Sequence, residues 1–588
     1  MLAIILSWIS ISIVFLSFGD FFVFLYNKLS KRDERYEIID TFLLGMCFTL
    51  IPLSVLSFWL PSNQYTLLSC LLFSIIYWIL RKEHFRNIPK QTKLLLQRFK
   101  TLQLIAFIIP VLAIAIAILW QVGVFDSLFY HQQNIRWNEE FAVVPGLGNL
   151  EHRFAFNSNY LLLSAIFSFR FLFGEAVYCL HVLVLVYVLC WILKEIFTSG
   201  FEIKRLLLLI VFTGYIFTFG YSLASTSTDA IPNIVSFYLI SRLLLYPNSI
   251  KEKFLFYVCI PIVLLTFKIN ILPLSLLSLV AIYYFFKAKQ YKAITITLST
   301  ATIIVVLWLI RNVIISGYLI FPFSEIDIFT VDWKIPKRIA IEEVDFIKSC
   351  AIRIFNDLLN HLTTFSFTIE GIKNWLISFI FICPVIISPL MVVYSLIRKK
   401  YLNKIIYLAY ISLILIFTVW YIGGPDPRFI GGVLFVMFYF VIYLLLEKKE
   451  EKHLKKTGIL IVGLFVFTMA AWPVVRTGKF MKMFNLSLVH RENQRPVSDI
   501  LIRPYPYKEL LRSAGIYKDS FYEYQISKDV SVYISESPEV LNGRYVCFDS
   551  PFPCTISASG VGIKYLDVTE IEARGKSLQD GFRVKRND

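Results

Sequence analysis

Long apolar runs separated by short polar breaks dominate this chain. A helix needs roughly 20 mostly apolar residues to cross ~30 Å of hydrocarbon. Segments at about 2–27, 40–60, 65–80, 102–120, 175–195, 204–222, 230–246, 254–269, 271–287, 292–310, 375–397, 404–422, 428–446 and 457–473 meet or approach that length. The pattern predicts about fourteen transmembrane helices. The first run has no basic residue before it and no small-residue cleavage site after it, so it reads as a retained helix and not a removed signal peptide.

Composition agrees. Of 588 residues, 57% are hydrophobic and 17% charged, and the mean hydropathy is +0.67. Soluble domains carry about a quarter charged residues and cannot hide this much apolar surface. An ordinary cytosolic enzyme, a disordered chain and a disulfide-rich secreted module are excluded. The net charge of +17 would suggest a nucleic-acid partner in a soluble protein. Its distribution points elsewhere, and no nucleic acid is expected. If residues 28–39 are cytoplasmic, alternation gathers 28 lysines and arginines into loops at 28–35, 81–100, 204–205, 242–253, 287–292, 398–404 and 448–456. The opposite loops at 61–64 and 223–229 hold none. This positive-inside pattern places the chain in the cytoplasmic (inner) membrane with both termini extracytoplasmic.

The expected fold is an all-α polytopic membrane protein with a small extracytoplasmic α/β domain at the C-terminus. Residues 1–120 supply N-terminal spans, and 121–174 form the first large outer loop with interfacial helices. Residues 175–473 form the transmembrane core, with a second outer loop at 311–374. From 474 onward 27% of residues are charged, against 14% before it, which marks a water-soluble tail. Val530 to Ile534 and Tyr545 to Phe548 are its strand-like runs. Tyr160 to Phe173 is too short to span comfortably and contains Arg170, so it reads as a helix lying along the interface.

Most cysteines fall in or beside apolar runs, as small buried hydrophobes do. Cys547 and Cys554 differ: they flank a Pro-containing turn in the tail, and either a disulfide or two reduced thiols is open there. No zinc spacing is present, and no ligand set demands a divalent cation, although one remains a possible cofactor.

Ionisable groups at a membrane face are costly and therefore informative. Five clusters stand out near the proposed outer face. Asp126 begins the first outer loop, with Tyr130 on its helical face and His131 beside it. Asp229 follows Ser225 to Thr228, where helix capping is the alternative role. Lys268 lies between two apolar runs, where snorkelling is the alternative. Arg311 precedes Asn312, and Gly423 to Phe429 is a rigid turn in which Asp426 and Arg428 can also pair locally. A carboxylate, several cations and aromatic rings at one outer site suit sugar transfer from a lipid phosphate. The Asp serves as base on a hydroxyl, and Arg and Lys hold the phosphate.

This arrangement resembles the GT-C membrane glycosyltransferases, such as the protein O-mannosyltransferases and the lipid A aminoarabinose transferases. Those proteins place a catalytic acid early in the first large outer loop, where Asp126 stands. The Tyr160 to Gly174 stretch and the Thr228-Asp229 pair are similar to their later features. More closely, the chain resembles an uncharacterised family of bacterial multi-spanning membrane proteins, through Asp126 to His131, Pro145-Gly146-Leu147, Thr228-Asp229, Arg311-Asn312, Pro425 to Phe429 and Cys547 to Thr555. The sequence departs from GT-C enzymes in its three extra N-terminal spans, in its single acid, and in lacking an oligosaccharyltransferase-type acceptor motif. The resemblance implies a polyprenyl-phosphate sugar donor and an unidentified acceptor. Asp126 would be the catalytic base. Lys268, Arg311 and Arg428 would hold phosphate, and Tyr130, His131, Asp229 and Asp426 would position substrate. A lipid-linked polysaccharide polymerase or ligase, or a transporter or flippase, are the rival readings.

Overall fold

A computed structural model describes residues 1–85, 97, 99–397, 403–446, 454–486, 495–536, 538–539, 544–556 and 566–585. Of the loop cations counted above, Arg86, Lys90, Lys93, Arg98, Arg398, Lys399, Lys400, Lys448, Lys449 and Lys452 lie outside these residues.

All fourteen apolar segments contain helix. Among the described residues nine helices are long and apolar enough to cross a membrane. They are Leu2–Ser30, Ile38–Leu56, Leu180–Thr198, Ile269–Lys287, Tyr291–Ser316, Ile369–Ile397, Lys404–Gly423, Pro427–Leu446 and Lys455–Met483. The expected fourteen spans thus resolve into these nine and five shorter helices of 11 to 17 residues, Gln64–Leu80, Thr101–Ala117, Ile203–Phe219, Ala230–Leu245 and Phe254–Leu264. The chemistry of the ends is local. Asn63 accepts a hydrogen bond from the Tyr65 amide at 3.1 Å and starts one helix. Gly317, at φ 79°, ends another by donating its amide to Val313. The first two helices cross at Gly19 and Gly45. A Cβ on Gly45 would sit 1.6 Å from the Phe15 carbonyl oxygen, so only hydrogen fits between the backbones.

The bundle has two polar ends. At one, Asp40 is fully buried and pairs with Arg242 and with Lys253 at 2.7 Å, while Glu37 pairs with Arg242 at 3.0 Å. Arg205 reaches Glu195 at 3.2 Å there. Arg242 and Lys253 are therefore structural ion partners as well as loop cations.

At the other end lie the first long loop and the tail, and they share one core. Phe129, Trp137 and Phe154 pack in the same cluster as Val532, Cys547 and Phe582. The tail carries a three-stranded sheet. Phe521–Ser527 pairs antiparallel with Val530–Ser535, which pairs parallel with Cys554–Ile556. Arg544–Tyr545 makes a short pairing with Pro538–Glu539, and Val546 to Phe548 is not strand. The last long helix runs to Met483, so the polar tail begins nearly three helical turns past the expected 474.

One expectation fails. Asn159–Ile166 is not an interfacial helix, because every residue in it is buried. Gln132–Glu140 packs across it, and the Ile38–Leu56 helix covers it from another side. Only Phe171 and Leu172 beyond it are exposed apolar residues of that stretch.

Candidate functional site

The Thr101–Ala117 helix delivers the chain to Asp126, which begins one turn of π-helix, Ser127–His131, before Gln132–Glu140 continues as α-helix. Such wide turns recur at functional sites. Ser127 fixes the neighbouring segment: its Oγ accepts from the Thr226 hydroxyl at 2.6 Å and from the Thr226 amide at 3.3 Å. That contact sets Asp229 beside the first loop. Asp229 occupies the N-cap position of Ala230–Leu245 without a side-chain capping bond. Its carboxylate instead pairs with Lys268 at 2.7 Å, and the Lys268 ammonium lies 4.3 Å from the centre of the Phe429 ring.

The 424–430 turn brings the last partners. Asp426 accepts from both the amide and Nε of Arg428, each at 2.9 Å, and its own carbonyl receives the Trp420 indole N–H. Asn233 donates to the Arg428 carbonyl at 2.9 Å and accepts from the Gly432 amide, bolting the turn to the Ala230–Leu245 helix. So fixed, Arg428 Nη1 donates to Asp126 Oδ2 at 3.2 Å.

On its other side Asp126 meets Arg153, 3.9 Å away. Arg153 Nε donates to Glu343 Oε1 at 3.0 Å, and His152 bridges Glu343 at 3.0 Å and Glu151 at 2.9 Å. The result is an ion network with a dry side and an open side. Glu343, His152 and Arg153 are buried, whereas Asp126 is 24% exposed, Lys268 25% and Arg428 45%.

Electrostatics follow this geometry. Burial alone would raise the Asp126 carboxyl, but the guanidinium groups of Arg428 and Arg153 outweigh it and hold it down at about 2. Burial lowers His131 to about 4 against the pull of Asp126 and Asp229, so its ring is neutral at pH 7. His152 goes the other way: burial would lower it, but Glu151 and Glu343 raise it to about 9. Glu343 is held below the usual carboxylate range, the pull of Arg153 and His152 overcoming its burial. Tyr130 is raised well above its ordinary value by burial and by Asp126.

Of the residues expected from sequence, Asp126, Asp229, Lys268, Asp426 and Arg428 come together. Tyr130 and His131 line the inner wall as a ring pair, centroids 4.4 Å apart, and His131 contacts the Thr226 carbonyl at 3.4 Å. Asp426 is buried and occupied in holding Arg428, which makes it a support and not an open ligand. Arg311 does not join them. It is buried, donating to Ser57 and, at 2.8 Å, to Asn138 Oδ1. Its charge sits where the Ile38–Leu56 and Gln132–Glu140 helices end, facing the negative poles of both.

Sequence reasoning passed over His152 and Glu343 as site members and placed Arg153 in the first outer-loop cluster without giving it a role. One signal for Glu343 was available. It lies four residues from Ile339, three from Ala340 and four from Ile347, which puts an acid on the buried face of an amphipathic helix. Among the described residues no group of three or more His, Cys, Asp and Glu is placed to hold a metal ion. Cys547 and Cys554 form a disulfide with Cα atoms 5.7 Å apart, and its loop lies against the π-turn: the Cys547 and Phe548 amides both donate to the Leu128 carbonyl.

No curated protein and no solved structure matches the chain. A family described as a domain of unknown function (DUF8201) matches residues 1–435, which include every member of the ion network and stop short of the tail. With about three-quarters of its length matched, the chain belongs to that family.

Proposed function

We propose that this protein is a multi-pass glycosyltransferase that moves a sugar from a polyprenyl-phosphate donor to an extracytoplasmic glycan, lipid or protein acceptor. One observation carries the reading. An ionised carboxylate, Asp126, stands between two guanidinium groups at the open edge of a buried ion network, with the Lys268 ammonium nearby. In this reaction the bond from the anomeric carbon to the phosphate oxygen breaks, and a bond to the acceptor oxygen forms. The phosphate leaves with the electron pair, and the acceptor's proton goes to Asp126. Arg428 and Lys268 stabilise the charge that grows on the phosphate. At a pKa of about 2 Asp126 is a weak base while Arg428 holds it. A bound phosphate draws the Arg428 guanidinium to itself, and the carboxylate regains basicity as that partner leaves.

The same reading sets the site outside the cytoplasmic membrane, with about fourteen spans and both termini on the outer side. The contact of the Met1 amine with the Ile500 carbonyl supports a common side for the two termini, since it joins the N-terminus to the tail.

Asp126→Asn and Asp126→Ala, folded and inserted, should each transfer labelled sugar from a polyprenyl-phosphate donor roughly 10²-fold or more slower in membranes. Full activity in either folded variant removes the base assignment.

A further inference from the structure

Two arginines flank Asp126, and the fold holds them differently. Arg153 is locked from both outer loops. The Lys337–Thr363 helix of the second loop presents Glu343 and Phe346, three residues apart and so on one side of it. Glu343 engages the first loop with both oxygens, Oε1 on Arg153 Nε and Oε2 on His152 Nε2, each at 3.0 Å. The rings of Phe346 and Phe129 stand against the Arg153 guanidinium with centres 5.2 and 5.1 Å away, and those of Phe125 and Tyr130 at 6.0 Å. The Arg153 side chain is 7% exposed and that of Glu343 1%. A guanidinium boxed in this way cannot swing out without stripping a buried carboxylate of its partner.

Arg428 stands at the other limit. Its side chain is 45% exposed, and the carboxylate on its Nε belongs to Asp426, two residues away on the same turn. Its hydrogen bond to Asp126 can therefore break while the Asp426 pair stays whole.

We infer that Arg153 is a positioning residue, the lasting partner that keeps Asp126 ionised, and that Arg428 is the partner that leaves. The inference rests on the transfer reading only for where Arg428 goes, which is to the donor phosphate. A base has to be deprotonated before it can take a proton, and burial alone pushes the Asp126 carboxyl towards its neutral form. The groups that oppose this are Arg428, Arg153, His131 and Lys268. His131 is neutral at pH 7, and Lys268 is paired with Asp229 and serves the phosphate in the same reading. With Arg428 and Lys268 on the phosphate, Arg153 is the cation left to Asp126. Its 3.9 Å contact is longer than a hydrogen bond, so it supplies charge from a fixed post.

The test uses the full-length protein in lipid nanodiscs. Infrared difference spectroscopy reads the C=O stretch of the protonated Asp126 carboxyl, assigned by its loss on Asp126→Asn. Arg428→Gln stands in for the departed guanidinium and needs no ligand. In that protein Asp126 should protonate at or below the ordinary aspartate value of about 4. Adding Arg153→Gln should raise the midpoint by roughly one to three pH units. Arg153→Lys in its place should bring it most of the way back. Should Arg153→Gln not fold beside an unmatched Glu343, Arg153→Gln combined with Glu343→Gln removes both charges and is read in the same way. A midpoint that does not rise overturns the assignment, as does a rise that Arg153→Lys fails to reverse. Undecaprenyl phosphate, added to the protein with both arginines in place, should raise the Asp126 midpoint as Arg428→Gln does. No movement there counts against the transfer reading alone, because the Arg428→Gln series decides the role of Arg153 without it.

Discussion

Asp126 owes its character to neighbours drawn from distant parts of the chain, and so does His152. The His152 imidazole is clamped by Glu151 and Glu343 and is protonated in the fold, at about 9 against ~6.5 for a free histidine. A raised folded-state pKa gives stability that is fully present below about pH 6.5 and is lost as pH rises through about 9. The stake is on the order of 3 kcal/mol. Thermal unfolding in detergent should therefore move to lower temperature across that window, and His152→Gln should flatten the slope. An identical slope in the variant refutes the assignment. Arg311 makes the opposite case, a cation visible in the sequence that serves only the scaffold. Arg311→Met leaves Ser57 and Asn138 without their donor and should cost ~1–3 kcal/mol of stability. Sugar transfer per folded molecule should not change, and a loss there would return Arg311 to the site. The sequence exposed Asp126, Asp229, Lys268 and Arg428 because charge is rare in apolar surroundings. Glu343 escaped because its helix carries ordinary numbers of charges, and only the fold shows which one is inward.

At the scale of elements, helices were the easiest to foresee and the segments between them the hardest. An apolar run of membrane length leaves the backbone little choice but helix. The π-turn after Asp126 and the burial of Asn159–Ile166 depend on partners far along the chain, so local pattern does not determine them. The disulfide loop is one such partner. Beyond the two amides bound to Leu128, Gln133 donates to the Phe548 and Pro551 carbonyls, and Arg136 donates to the Asp549 carbonyl at 2.8 Å. Arg170 adds an ion pair to the Asp549 carboxylate at 2.9 Å. The tail thereby braces the segment that carries Asp126. Reducing Cys547–Cys554 frees that loop, and amide hydrogen exchange over residues 127–140 should quicken while the Leu180–Thr198 helix keeps its protection. Unchanged exchange at 127–140 after verified reduction would show that the other contacts hold the segment alone.

The whole molecule is ordered by its two polar ends, and they constrain the path of the chain more tightly than helix length does. Glu195 and Arg205 lie at the Asp40 end, as do Arg242 and Lys253. Asp229 and Lys268 lie at the Asp126 end, where the Leu223 carbonyl also meets His181. The three shorter helices Ile203–Phe219, Ala230–Leu245 and Phe254–Leu264 therefore each run from one polar end to the other. Parity gives the same answer. The core shared by Phe129, Ile339 and Val532 puts the first loop, the second loop and the tail on one side. Under the proposed topology the chain then crosses an even number of times between the two loops. Only three helices of full length, Leu180–Thr198, Ile269–Lys287 and Tyr291–Ser316, lie there among the described residues. Under that topology an odd number of shorter helices crosses with them, and contact with both ends favours all three. Single cysteines at the exposed positions 200, 221 and 248, tested with a membrane-impermeant maleimide in intact cells, should react only at 221 under the proposed orientation. Reaction at 200 and 248 but not at 221 would invert the orientation and keep the path. Equal reaction at all three would break the path itself, and with it the grouping of Asp229 and Lys268 beside Asp126.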